Sequence, residues 1–295
     1  MYIYEVEKIT DSLYSIREDI TYGQFPILIY LVIGEKRAAL IDTGLGTGNL
    51  RKVVNEITRL PITVLHTHGH GDHLGADTLF NDIYLNRRDY RLVGDNDSYS
   101  SEQQRLSFLK FHLKDKPDLY EKIKWHMVKY RRAHYKNIDD GDTIDLGGIK
   151  LEAVSTPGHT SGCISYINKR DGYAFTGDGI ADIHWFDEEK SITVQEFLST
   201  LEHFQKRAEN VENIYAAHIP KPFTLKLVQD LYIAAEAIIN GAQDEMENAD
   251  YQFLVHGNLY VHREGDAAIY YKKEKIYSKA VVCSSNTLSF CHFKD

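Results

Sequence analysis

Seven residues, Thr67-His68-Gly69-His70-Gly71-Asp72-His73, hold three imidazoles and a carboxylate separated by glycines. Neither a helix nor a strand favours that composition, because glycine loses backbone entropy in both and Asp competes for turns. The residues just before it, "ITVLHT" from Ile62, form a short apolar run rich in β-branched side chains, which reads as a strand. The histidines therefore belong on a loop at a strand's C-terminal end, where layered α/β proteins carry ligands. Imidazole and carboxylate suit Zn, Fe or Mn. A turning glycine-rich loop aims alternate side chains at two neighbouring points, which favours two metals over one.

The flanking sequence supplies layers for such a loop. "MYIYEV", "SLYSI", "ILIYLVI" and "AALID" read as consecutive strands of a meander, and Leu50, Val53, Val54 and Ile57 mark one apolar face of a helix. Residues 96–138 read as a helical insertion with apolar Leu106, Leu109, Leu113, Tyr120, Ile123 and Met127, divided into two helices by Pro117. Strand signals then return in "TIDLGG", "IKLEAVST" and "ISYINKRDGYAFTGD", the last a hairpin around Lys169 to Gly172. Thr193 and Glu196 have capping-box spacing, and a second long helix is expected from about Thr224 to Asn240, closed by Gly241. The expected organisation is one domain over 1–277 with the insertion at 96–138, followed by a tail at 278–295.

Three further candidates lie where strand-like runs give way to Gly or Pro: His159 in "STPGHTSG", Asp178 in "FTGDG" and His218 in "IYAAHIP". A net charge of -9 provides no basic field for nucleic acid. No apolar run near the N-terminus is long enough for a membrane span or preceded by a cationic leader. Cys163, Cys283 and Cys291 are too few and too irregular for a disulfide framework, so a cytoplasmic protein with reduced thiols is expected. The sequence carries no signal of oligomeric state.

With "LIDTG", "HGHGDH", "TPGHT", "TGD" and the late His in this order over residues 1 to 265, the chain resembles the metallo-β-lactamase fold superfamily of metallohydrolases. The resemblance implies an α/β fold, a four-layer αββα sandwich, with two divalent metal ions at one sheet edge: Zn first, with Fe or Mn as alternatives. It implies His68, His70 and His159 on one metal, Asp72, His73 and His218 on the other, and Asp178 bridging both. Asp72 would also be catalytic, orienting a metal-bridging hydroxide and passing a proton to the leaving group. Asp42 would brace the histidine loop from behind. His66 matches no ligand position and is assigned to structure.

Departures from subgroup patterns narrow the reaction. His70 stands where flavin-linked diiron reductases of this fold carry Glu, Asp178 where the main zinc β-lactamases carry Cys, and Ala181 where acyl-homoserine lactonases carry Tyr. No arginine-rich C-terminal segment for glutathione is present, and "AAHIPKP" differs from the usual surroundings of the last His in hydroxyacylglutathione hydrolases. The expected substrate is a small carboxylic ester, thioester or lactone. The alternatives are a phosphodiester or a metal-binding sensor without turnover. Tyr22, Phe25, His184, Trp185 and Phe186 are the candidate pocket residues, the last three on an expected loop.

Overall fold

A computed structural model describes residues 4–20, 25–93, 101–129, 131–186, 191–248 and 257–278. The first sheet opens with β1 (Tyr4–Lys8), β2 (Leu13–Glu18), β3 (Ile27–Ile33) and β4 (Ala38–Ile41), an antiparallel meander. Helix α1 (Leu50–Ile57) crosses over to β5 (Ile62–Leu65), which pairs parallel with β4, and β6 (Ile83–Tyr84) completes the six-stranded sheet. The insertion forms α2 (Glu102–His112) and α3 (Pro117–His126), with Pro117 in the first turn of α3, where its missing N–H has no helical partner to lose.

The second sheet, ordered β12-β10-β9-β8-β7, contains β7 (Thr143–Asp145), β8 (Lys150–Ser155), β9 (Ile164–Asn168), β10 (Tyr173–Gly177) and β12 (Asn213–Ala216). Between β10 and β12 run β11 (Ile183–Phe186) and α4 (Val194–Arg207), the latter begun by the Thr193/Glu196 capping box. Helix α5 (Leu225–Ile239) starts on the Thr224 cap. Gly241, at φ 85°, takes up the left-handed conformation just past its end.

Alternation along β3 shows why the layers stack. Leu28, Tyr30 and Val32 face the second sheet, meeting Leu151, Tyr166 and Phe175, while Ile29 and Leu31 face α1 through Leu50 and Val54. A strand covered on both faces is apolar throughout, as "ILIYLVI" is. On the far side α4 and α5 cover the second sheet, with Phe197, Leu201 and Phe204 packed against Val154, Ile167 and Ala174. The expected αββα order is present.

A third sheet was not anticipated. β13 (Glu245–Asn248), β14 (Asn258–Glu264) and β15 (Ala267–Tyr271) form an antiparallel set to which β11 adds in parallel. The segment expected to leave Asp178 as a loop is therefore partly a strand. "IHWF" finds the free edge of "AAIYY" some 80 residues later, a pairing that local pattern does not encode. No helix among the described residues is long and apolar enough to cross a membrane.

The insertion docks by an apolar face made of Phe108, Leu109, Leu113 and Ile123, packed on Ile20, Ile27 and Leu45, with Tyr120 and Met127 alongside. Leu106, expected in that face, gives way to Arg105, which is 1% exposed. Its guanidinium donates to the carbonyls of Leu45 (2.8 Å), Gly75 (3.1 Å) and Val128 (3.0 Å), joining α2 to the loops after β4 and β5. Arg105→Ala should strand these carbonyls and destabilise the fold by about 3 kcal/mol, seen as a lower urea midpoint at unchanged slope. An unchanged midpoint would show that the guanidinium contributes no net stability.

Candidate metal centre

The candidate ligands and the bracing Asp42 all follow the C-terminal ends of strands: Asp42 follows β4, the histidine loop follows β5, His159 follows β8, Asp178 follows β10, and His218 follows β12. Parallel pairing of β4 with β5 and of β10 with β12 sends these ends to one edge. β8 points the same way because it is antiparallel to β9, as β10 is. Two hydrogen bonds to backbone carbonyls sew the sheets together there, from the Ile164 N–H to the Thr67 carbonyl (2.8 Å) and from the Tyr166 hydroxyl to the His66 carbonyl (2.8 Å). Gly177, at φ 55°, turns the chain into Asp178 where a Cβ would strike Thr67.

Three overlapping donor groups result: His68/His70/His159, His68/His73/Asp178 and Asp72/His73/His218, each with ligand atoms within 4.8 Å of one another. The Asp178 carboxylate lies 3.4 Å from His218 Nε2, 3.5 Å from His73 Nε2, 3.6 Å from His159 Nε2 and 3.9 Å from His68 Nε2. Asp72 lies 3.4 Å from His218 Nε2 and 3.6 Å from His73 Nε2. These separations exceed charge-assisted hydrogen bonds and match those between ligands sharing an ion about 2 Å from each. Nε2 of His68, His73 and His218 is buried with no hydrogen-bond partner, an arrangement a bound cation would satisfy. The set fits divalent metal.

Electrostatics divide the imidazoles into two pairs. Burial and the neighbouring imidazoles hold His68 and His70 well below the usual histidine range, so both are neutral donors. Burial opposes charge on His73 and His218 as well, but the Asp72 and Asp178 carboxylates outweigh it and raise both. Burial likewise pushes Asp72 and Asp178 up, yet His73 and His218 draw both below the carboxylate range.

Behind the ligands, Asp42 has φ 63°, a left-handed conformation that its hydrogen bonds hold in place. It accepts from the Thr67 N–H (2.8 Å) and hydroxyl (2.7 Å), and lies 2.8 Å from His73 Nδ1 and 3.3 Å from His66 Nδ1. His66, assigned to structure from sequence, is wedged between Asp42 and Asp77, its Nε2 2.9 Å from the latter. Burial would lower this imidazole, but Asp77 and Asp42 raise it to about 9. His218 Nδ1 pairs with the Pro26 carbonyl at 2.9 Å.

The pocket candidates separate. Phe25 reaches the centre, its ring 4.1 Å from that of His218, and Tyr22 lies outside the described residues. His184, 1% exposed, packs on Phe197, and its imidazole is pushed down to about 3, chiefly by burial. Phe186 has no exposed surface and belongs to the core beneath α4. Trp185 stacks on Tyr270 at 4.2 Å within the third sheet, so the aromatic wall expected at 184–186 is instead packing created by the β11 pairing. The sequence reading missed two residues of α2. Phe108 and His112, one turn apart, lie 5.4 and 5.3 Å from the Phe25 ring. Their i, i+4 spacing was visible, but which surface that face would meet was not.

Divalent metal in 1,000-fold excess over its dissociation constant should raise the melting temperature by about 10 °C over chelator-treated protein. Asp178→Ala, which removes the carboxylate central to the donor groups, should lose most bound metal by elemental analysis while keeping its far-ultraviolet circular dichroism. Equal melting temperatures with and without metal would rule out the centre.

Comparison with known proteins agrees with this geometry. The metallo-beta-lactamase superfamily model matches residues 22–218. The chain is 23% identical over 232 residues to the acyl-coenzyme A thioesterase MBLAC2 of Homo sapiens, covering 73% of this chain and 81% of that protein. It is 30% identical over 166 residues to the uncharacterized protein YobT of Bacillus subtilis (strain 168), covering 52% of this chain and 62% of YobT. It is 29% identical over 153 residues to the hydroxyacylglutathione hydrolase GloC of Haemophilus influenzae, covering 49% of this chain and 61% of GloC. Among solved structures, a metallo-beta-lactamase from Pontibacter korlensis superposes with a TM-score of 0.55 at 16% identity, covering 79% of this chain and 99% of that one. A family match spanning most of the chain, on a fold that agrees with it, leads to one conclusion: the protein belongs to the metallo-β-lactamase superfamily.

Proposed function

We propose that the protein is a dinuclear metal-dependent hydrolase of an acyl thioester or related carboxylic ester. The observation that carries this reading is the convergence of seven His and Asp donors in overlapping triads. His68, His70 and His159 would hold one ion, Asp72, His73 and His218 the other, with Asp178 between them. Zn is the first candidate, and Fe or Mn suit the same donors. Bound there, such ions supply Lewis acidity toward a substrate carbonyl and lower the pKa of water toward neutrality.

The chain's own groups account for the rest. The Asp72 carboxylate, held 3.4 Å from His218 Nε2 with its side chain 17% exposed, can accept a proton from the attacking water and return it to the leaving thiol or alcohol. Asp42 fixes the His73 ring through Nδ1, so that Nε2 faces the centre. Phe25 and Phe108 offer an apolar surface beside His218, suited to an acyl chain. His112, lowered by burial, is a neutral imidazole next to that surface. The names of two relatives, a thioesterase and a hydroxyacylglutathione hydrolase, support release of an acyl group from a sulfur carrier.

Metal-loaded protein should cleave acyl-coenzyme A, S-acyl-glutathione or aryl esters well above a bis-aryl phosphodiester. Phe25→Ala should raise KM about tenfold for the best apolar acyl substrate with kcat little changed, since a buried aromatic contributes about 1.5 to 3 kcal/mol. A panel in which the phosphodiester is fastest, with KM indifferent to Phe25, would replace this reading with a phosphodiesterase.

A further inference from the structure

Asp89 lies in the 3-10 turn Arg87–Leu92 after β6, has no exposed surface, and matches no ligand motif. Its Oδ2 accepts from the Gly69 N–H at 2.9 Å and the Thr160 hydroxyl at 2.6 Å, while Oδ1 accepts from the Gly162 N–H at 2.9 Å. Gly69 sits between His68 and His70, and Thr160 directly follows His159. One carboxylate therefore grips the two turns that carry the His68/His70/His159 triad. These turns come from different sheets, one after β5 and the other after β8. The bonds from Ile164 and Tyr166 hold the turn approaching from β5 at Thr67 and His66, short of the ligands, whereas Asp89 reaches the ligand-bearing tips.

The other triad is braced by different means. His73 is held through its own ring by Asp42, and His218 through its ring by the Pro26 carbonyl. Position 162 is built around the same carboxylate, because a Cβ there would lie 2.5 Å from Asp89. We propose that Asp89 is a positioning residue that assembles the His68/His70/His159 metal site selectively, by clamping its two turns at the spacing one ion requires. This rests on the dinuclear reading above. An amide in place of the carboxylate must present either an N–H₂ to a donor or one acceptor too few, so Asp89→Asn breaks the clamp at nearly constant volume.

The test is metal binding, read by elemental analysis after dialysis and by Co(II) titration followed in the visible spectrum. Wild type should take two equivalents. Asp89→Asn should keep one near wild-type affinity and bind the second about 10- to 100-fold more weakly. The spectrum of its one-metal form should match that of His70→Ala and differ from that of His218→Ala. Thr160→Val, a milder change that removes one of the three bonds, should weaken the same equivalent to a smaller degree. In both variants the loss should be confined to the equivalent that His70→Ala also loses, with the other left near wild-type affinity, a selectivity that a purely structural role would not produce. Two tight equivalents in Asp89→Asn, or equal weakening of both, would overturn the proposal. If wild type itself takes one equivalent, the dinuclear reading falls. Asp89 is then judged on that single site, upheld by a tenfold or greater loss of affinity in the Asn variant and refuted by none.

Discussion

Seven titratable side chains that could ligate metal crowd one edge of the sandwich, and carboxylates and imidazoles buried that closely are unfavourable unless each is paired or coordinated. Much of the surrounding structure answers this requirement. Asp42 pairs with His73 and His66, and Asp77 takes the far side of His66 together with the Thr43 and Tyr135 hydroxyls at 2.8 Å each. The chain thus carries alternating charge inward from the centre, so that the buried groups neutralise one another. Among the described residues, the Nε2 atoms of His68, His73 and His218 are buried without a hydrogen-bond partner and lie among the donors that could hold a cation.

The same requirement explains the bracing of the loops after β4 and β5. Glu18, fully buried, accepts from the N–H groups of Leu45 (2.6 Å) and Thr47 (2.7 Å) and from the Thr47 hydroxyl. Arg105 holds the opposite side of that loop through the Leu45 carbonyl, and the Gly75 N–H bonds to the Gly44 carbonyl at 2.7 Å. An acid from β2 and a base from the insertion therefore clamp backbone polar groups that no regular ladder could satisfy. By this route the insertion is tied to the metal loops as well as to the apolar rim formed by Phe25, Phe108 and His112. Helices α2 and α3 thereby become part of the site's architecture.

Legibility differed by the range of the interaction. The β1–β4 meander, the Thr193 capping box and the break at Pro117 are local patterns, and the structure has them where the spacing predicts. The family match and the shared strand edge agree with the order of the five motifs read from sequence. β11 and the third sheet were not legible, because Ile183–Phe186 pairs with a strand some 80 residues away and its four residues read equally well as a loop. Trp185 and Phe186 were assigned to a pocket for the same reason: an aromatic pair after a metal-binding motif looks like a pocket wall until a remote strand claims it. Asp89, Arg105 and Glu18 were passed over because an isolated charged residue is ordinarily solvent-exposed.

By itself the sequence determined which His and Asp residues are candidate metal donors and the layers that present them, since glycine spacing, strand periodicity and side-chain chemistry are properties of short segments. Tertiary structure alone decided which aromatic rings stand beside the centre, which charged groups are buried, and which carboxylate joins the two ligand turns. Those outcomes depend on surfaces brought together from distant segments, and no local pattern specifies which partner a buried face or an orphaned backbone group will meet.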